Sequence, residues 1–455
     1  MKKSTSRFNP AWTVEPGYEP VREAFVKRMG SFGYGGGGYC AYVDGRPVVD
    51  LWGGNRRDGE PWEADTVTVL MSATKGFASM CMQLLVDRGQ IDVDEFVSTY
   101  WPEYAQNGKK ATTVRQLLLH TGGVVGFDQM DEVLRHDGEG WGDLDEIARR
   151  MAESAPSFPP GSEHTYHALT IGWLVGEIVR RVDGRSIGTF FAEEFAKPLG
   201  LDLWIGLPAH ELPRMAYVHD IRLDHLFKPL RVAQESMLAA ARDPEKLMGR
   251  AFVGNGSASP LDFLETVFNN PHFLGAEVPA GNGVATARAV ARCWAMMANG
   301  GELDGSRVLS TEIVERWSQV ISRKADVSVK QIATSRVLAR LGDTPVPRTL
   351  GHLGNGEIPG LGHRFGPNPN AYGAEGLGGQ YGFCDPDANI AVGYVRSELA
   401  AVDLLQAGLT AELYRCAARN GRAVTIVKSS PLKRVLGAAI AAFARRKIAV
   451  PTTRT

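Results

Sequence analysis

Cysteine is scarce in this chain. Its 455 residues hold five, at Cys40, Cys81, Cys293, Cys384 and Cys416. They are odd in number, widely spread and form no C-x-x-C pair, which argues against a disulfide scaffold or a zinc site and makes a reducing compartment the simplest reading. An excess of either charge is also absent. Fifty Lys and Arg stand against 51 Asp and Glu, a formal net charge of −1, so nothing points to nucleic acid as a partner. The average composition argues against wholesale disorder. No apolar run reaches the ~18 residues that a membrane-spanning helix needs. "MKKSTSRFNPAWTVEPGYEP" has two lysines but no apolar core behind them and does not read as a signal peptide. A cytoplasmic protein is expected. There is no internal repeat.

What is present is alternation and helical periodicity in a particular order. Asp44-Gly45 lies between two strand-like runs, Tyr39 to Val43 and Pro47 to Trp52, and predicts a hairpin. Tyr18 to Gly30 reads as a helix, and "TVTVLM" (Thr66 to Met71) as extended. From Lys75 the pattern turns helical, with Phe77, Met80, Cys81, Leu84 and Leu85 on one face and Gly89 as the stop. Helical signals then dominate to Gly301. "GGQYGFCDPDANIAVGYVRSE" reads as two strands joined at Asp385 to Asn389, followed by a terminal helix in "LLQAGLTAELYRCAAR". Strands at both ends with helices between them predict a mixed α/β (α+β) fold whose sheet is interrupted by a large helical insert.

"MSATKGFASM" carries chemistry as well as periodicity. Ser72 and Lys75 stand three apart, so both lie on one face of a helix and the amine can reach the hydroxyl. A serine is a poor nucleophile until a base takes its proton, and a lysine can do so only when burial and nearby cations keep it partly neutral. Spacing alone does not decide the matter. About one chance S-x-x-K is expected in a chain this long, and a second, Ser430 to Lys433, occurs near the C-terminus. Tyr166, in "PPGSEHTYHAL", follows a Pro-Gly loop and precedes a helix. Beside a cationic lysine its phenol pKa would be lowered, fitting it to move a proton to and from Ser72.

The order of "MSATKGF", "TVRQLLLHTGGV", "PPGSEHTYHALTIGWLVGEIV", "KPLGL", "PAGNGVATARAVARCWAMMANGG", "RVLS" and "GLGGQYGFCDP" resembles that of successive stretches of the class C β-lactamase-like serine hydrolases. That family includes β-lactamases, D-amino-acid peptidases and esterases. The resemblance runs from about Tyr34 to Arg415. It implies an antiparallel sheet flanked by helices, with an all-helical insert over roughly 76–300 and the site between them. Residues 1–33 are set apart as an N-terminal segment, and 416–455, whose end is rich in Lys and Arg, as a basic C-terminal extension. By the same resemblance Ser72 is the acylated nucleophile, Lys75 its partner and Tyr166 the tyrosine of a Y-x-N element. Ala374-Glu375-Gly376 falls where the family has K-T-G or H-x-G. The N–H groups of Ser72 and Leu377 are implied as the oxyanion hole, with Gly376 lining it. No cofactor or metal is implied.

Two departures bear on substrate. The third position of Y-x-N is Ala168, and the basic first position of K-T-G is Ala374, followed by Glu375. Both lost groups help hold β-lactams, and a free carboxylate at Glu375 facing the cleft would repel anions. The expectation is therefore an esterase acting on a small neutral ester. Acyl transfer, amide, peptide or β-lactam hydrolysis on the same site, or a catalytically silent scaffold, are the alternatives.

Rival sites are weaker. "GRSIG" matches G-x-S-x-G, but the run before Ser186 reads as helix rather than strand, so Ser186 is expected to cap the next helix. His164 and His167 have a spacing that a metal could use, without an evident third ligand. His120 falls in a turn that the resemblance marks as structural. His352 and His363 are candidates for the charge missing at Ala374. Finally, Leu432, Val435, Leu436, Ala439, Ile440 and Phe443 share one helical face between basic residues. That pattern fits an interfacial helix on an anionic membrane, but a terminal helix docked on its own protein or a partner subunit is favoured.

Overall fold

The computed structural model describes residues 12–222, 228–253, 264–332, 339–340, 342–358, 362–400 and 404–424. Eight strands form its main sheet: β1 (Thr13–Val14), β2 (Gly36–Val43), β3 (Arg46–Arg57), β4 (Glu60–Pro61), β5 (Leu353–Gly354), β6 (Tyr372–Glu375), β7 (Tyr381–Asp385) and β8 (Ile390–Arg396). The order is β1-β3-β2-β8-β7-β6-β5, with β4 on β3, and every pairing is antiparallel. β2, from near the start of the chain, and β8, from near its end, thus meet at the centre of the sheet. The predicted hairpin is present. Asp44 and Gly45 both take positive φ, 53° and 71°, as a two-residue turn matched to strand twist requires.

The sheet is covered on both faces, and alternation along its strands shows how. Tyr39, Ala41 and Val43 join a core cluster with Phe25, Leu409 and Leu413, which belong to α1 (Glu19–Arg28) and α5 (Leu404–Arg419). Cys40 and Tyr42 face the other way, into a larger cluster with Val290, Ala291 and Trp294 of α4 (Ala287–Ala298). α4 lies close to the sheet because the strands beneath it carry glycine. A Cβ on Gly393 would run into the Ala287 carbonyl and the Ala291 N–H, and one on Gly382 into the Trp294 indole. Residues 13–28, counted above within an N-terminal segment, add β1 to the sheet and lay α1 against α5. Likewise α5 continues to Arg419, and Arg422 donates to Ala388 O. The amphipathic stretch after residue 424 and the second S-x-x-K lie outside the described residues.

Between β4 and β5 comes the helical insert. Its central element is α2 (Thr74–Asp87), in which Thr74 and every residue from Gly76 to Leu85 are buried. Each fully buried Phe, Met or Leu side chain there contributes roughly 1.5–3 kcal/mol. Small residues let α3 (Thr170–Asp183) and its neighbours approach. A short three-stranded sheet, Thr68–Val69 with Val284–Ala285 and Leu203–Trp204, ties the start of α2 to the far end of the insert. All five cysteines are buried and unpaired. No helix among the described residues is long and apolar enough to cross a membrane.

Candidate active site

Ser72 sits in a 3₁₀ turn, Met71–Ala73, that runs directly into α2. Met71 before it has φ +50°, a left-handed conformation that costs a non-glycine residue about 1–3 kcal/mol. Its surroundings hold it there. The Thr74 hydroxyl donates to Met71 O (2.6 Å) and accepts from Gly283 N (2.9 Å), and Leu70 N donates to Gly283 O (2.7 Å). The strained turn lifts Ser72 off the end of a buried helix into an open cavity. From the opposite side β6 brings Gly376 against the same turn, so closely that a Cβ there would meet the Leu70 carbonyl. Only glycine fits that approach. The N–H groups of Ser72 and Leu377 donate to no backbone or side-chain acceptor among the described residues. Both residues line the cavity, where the positive end of the α2 dipole lies.

Lys75 is one turn further on. Its Nζ lies 3.1 Å from Ser72 Oγ and 2.7 Å from each of two carbonyl oxygens, of Ala168 and Ala280. Desolvation, with Arg348 adding to it, holds the amine well below its usual pKa. A neutral amine has two N–H donors and one lone pair. The two carbonyls take the donors, which leaves the lone pair for the Ser72 hydroxyl. Position 168, where the resemblance predicts Asn, contributes through its backbone instead.

Tyr166 lies across the cavity from this pair, with Lys75 Nζ 4.8 Å from its ring centre. Its backbone N–H donates to Asp326 Oδ2 (3.0 Å), and its ring stacks on His120 at 5.3 Å. The sequence reading expected the phenol to be made more acidic, and the structure corrects this. Burial pushes it up to about 12, and a hydrogen bond with Ser72 offsets only part of that rise. The reason is loss of water around the ring; of the charges nearby, Arg348 favours the phenolate and Asp326 opposes it. Tyr166 is therefore a phenol at neutral pH.

Charge enters from residues that the motifs did not mark. Arg348 and Arg364 both line the cavity, as does Asp326. Arg364 forms an ion pair with Glu375, so Glu375 is not the free, anion-repelling carboxylate expected above. Of the two histidines considered as replacements for a basic residue, His352 is buried against Trp294 and Tyr372 and pushed down to about 3, hence uncharged. His363 lies at the exposed rim. His120, His164 and His167 form a buried cluster whose pKa values are all lowered by burial. No group of His, Cys, Asp and Glu among the described residues is arranged to hold a metal ion. Ser186 caps the helix Ile187–Phe191, accepting from Thr189 N and donating to Glu277 Oε1 (2.6 Å).

Ser72, Lys75, Tyr166, Gly376 and Leu377 thus line one cavity of about 600 Å³. Its remaining wall is largely apolar, with Trp141, Met237, Phe252, Phe268 and Phe273 prominent. The cations went unmarked because Arg348 and Arg364 come from the Gly-rich, irregular stretch after Leu341, which has no periodicity to place them. The one hint was an isolated arginine in "VPRTLGHLG".

The chain is similar to known proteins over most of its length. The beta-lactamase family profile matches residues 21–403. The chain is 33% identical to Esterase/beta-lactamase LipL of Mycobacterium tuberculosis, over 85% of this chain and 82% of the relative. Among solved structures, a family VIII carboxylesterase superposes with a TM-score of 0.73 at 29% identity, covering 89% of this chain and 98% of that one. A penicillin-binding protein homologue from Caulobacter crescentus gives 0.72 at 31% identity, with the same coverage of each chain. The profile match covers the insert and every strand of the main sheet except β1, and the chain belongs to the beta-lactamase family.

Proposed function

We propose that this protein is a serine hydrolase that cleaves carboxylic esters through an acyl-enzyme on Ser72. The observation that carries the reading is the environment of Lys75, whose two carbonyl partners and lowered pKa leave a lone pair for Ser72 Oγ. Relatives named as esterases support the choice of substrate class.

In the acylation step Ser72 Oγ bonds to the ester carbonyl carbon while its proton passes to Lys75 Nζ. The negative charge that develops on the carbonyl oxygen meets the N–H groups of Ser72 and Leu377 at the N-terminus of α2. When the tetrahedral centre collapses, the C–O bond to the alcohol breaks. The Tyr166 phenol donates a proton to the departing oxygen and is reprotonated from Lys75. A water molecule then repeats the sequence on the acyl-enzyme and frees Ser72. Esters suit this arrangement because an alkoxide needs less protonation to leave than an amine does.

Replacing Ser72 with Ala is expected to abolish both labelling by a fluorophosphonate probe and cleavage of a 4-nitrophenyl ester. Full labelling of that variant would sink the proposal, whereas loss confined to Ser186→Ala would transfer the nucleophile to that serine. Peripheral membrane contact through the basic C-terminal stretch is tested separately, by liposome flotation with and without the residues after Gly421.

A further inference from the structure

We propose that Arg348 is a substrate-binding residue that takes a carboxylate, so that the preferred ester carries a second, ionised carboxyl group on an apolar body. This rests on the esterase reading and deepens it.

Arg348 is only 5% exposed, yet it lines the cavity together with Ser72, Lys75 and Tyr166. Its backbone is fixed on both sides, exchanging hydrogen bonds with Ser322 and bridging to Leu353. Its Nε donates to His164 Nε2 at 2.7 Å, which fixes the plane of the guanidinium. The two Nη groups donate to nothing among the described residues. Neither is among the polar atoms sealed off in the interior, so both reach the cavity. No Asp or Glu among the described residues lies within ion-pair distance of them.

Burying a cation without a partner costs several kcal/mol in general. The neighbours relieve it only in part, because no carboxylate reaches the Nη groups and Asp326 acts from a distance. His164, His120 and His167 are held neutral. Asp326 lies close enough to act on Arg348 through space, but its oxygens accept from Tyr166 N, Ser328 N and Ser328 Oγ. Arg364, on the same wall, is different because Glu375 already pairs with it. Arg348 is therefore a charged fork held ready, with the edge between its two Nη groups free. That edge matches a carboxylate, which accepts two parallel N–H bonds. The nearby charge of Asp326 disfavours a dianion and selects a monoanion. The aromatic and thioether side chains that make up much of the remaining wall, Trp141, Met237, Phe252 and Phe268 among them, fit an apolar body joined to the charged end. The expected substrates are half-esters of apolar dicarboxylic acids, or esters of carboxyl-bearing alcohols.

The test compares kcat/KM for the 4-nitrophenyl half-ester of a dicarboxylic acid with that for its methyl-capped, neutral counterpart, over a series of chain lengths. In the natural protein the half-ester is expected to be preferred by roughly tenfold or more at the best length, the scale of a charge-assisted pair. Arg348→Met is expected to collapse that ratio, and Arg348→Lys to retain part of it. The ratio is the informative quantity because both esters use the same base, so any effect of Arg348 on Lys75 cancels. A ratio near one at every length in the natural protein, or a ratio unchanged in Arg348→Met, overturns the assignment. Should Arg348→Met fail to fold, the free dicarboxylate decides. Competitive inhibition of neutral-ester hydrolysis supports the site, and its absence rejects it. Turnover that survives Ser72→Ala would instead strike the esterase reading itself, which keeps the two failures apart.

Discussion

Lys75 and Tyr166 are placed with their proton affinities moved in opposite directions, the amine down and the phenol up. This fixes the sign of the pH dependence. The proposed mechanism uses the uncharged amine, so kcat/KM is expected to rise as pH climbs through the lowered pKa of Lys75. It does not fall again through loss of the Tyr166 proton until far into the alkaline range, because that pKa is about 12. A profile measured on a neutral ester that declines above neutrality would contradict this assignment. Arg348 lowers the Lys75 pKa as well, so its replacement by Met shifts the acid limb to higher pH. Tyr166→Phe removes the proton donor but keeps the ring stacked on His120. A loss of roughly 10²- to 10⁴-fold in kcat with near-normal thermal stability is expected. At this scale the sequence was partly readable. Ser72, Lys75 and Tyr166 were singled out by the order of family-like segments around a helix turn and a Pro-Gly loop, and all three line one cavity. Arg348, Arg364 and Asp326 could not, since their roles arise only when distant loops fold onto the same cavity.

At the scale of elements, the turn before α2 and the glycines under α4 show how closely the layers fit. A Gly393→Val substitution would drive a branched side chain into the backbone of α4. It is expected to destabilise the protein by about 3 kcal/mol, read as a lower denaturant midpoint with an unchanged slope. Gly376→Ala acts differently. Its methyl would push the end of β6 away from the Ser72 turn, so kcat is expected to drop by about tenfold or more in the fraction that remains folded, alongside a lower unfolding midpoint. Elements with strong periodicity or turn chemistry were legible in advance, among them the Asp44-Gly45 hairpin, α1, α2 and the β7–β8 pair. Short strands were not. "TVTVLM" yields only Thr68–Val69 as strand, because the chain must break there to enter the strained turn at Met71. Nor could any local pattern reveal that β1, near the start of the chain, pairs with β3.

Across the whole molecule, the sheet brings both ends of the described chain together, while the insert closes over its far side. The cavity wall is drawn from residues 71 to 407, and Val424 is the last residue described. A protein ending at Val424 is therefore expected to hydrolyse neutral esters with kcat/KM within about twofold of the full chain. A larger loss would mean that the tail reaches the site. The burial of every cysteine gives a second global test, since none should react with iodoacetamide until the protein unfolds. The two carbonyls that hold Lys75 belong to separate stretches of the insert, Ala168 just before α3 and Ala280 just before the short strand at Val284–Ala285. Proton abstraction is thereby made conditional on assembly. On the proposed mechanism, a chain whose insert had not closed around Lys75 would possess the serine and the lysine and still be inert.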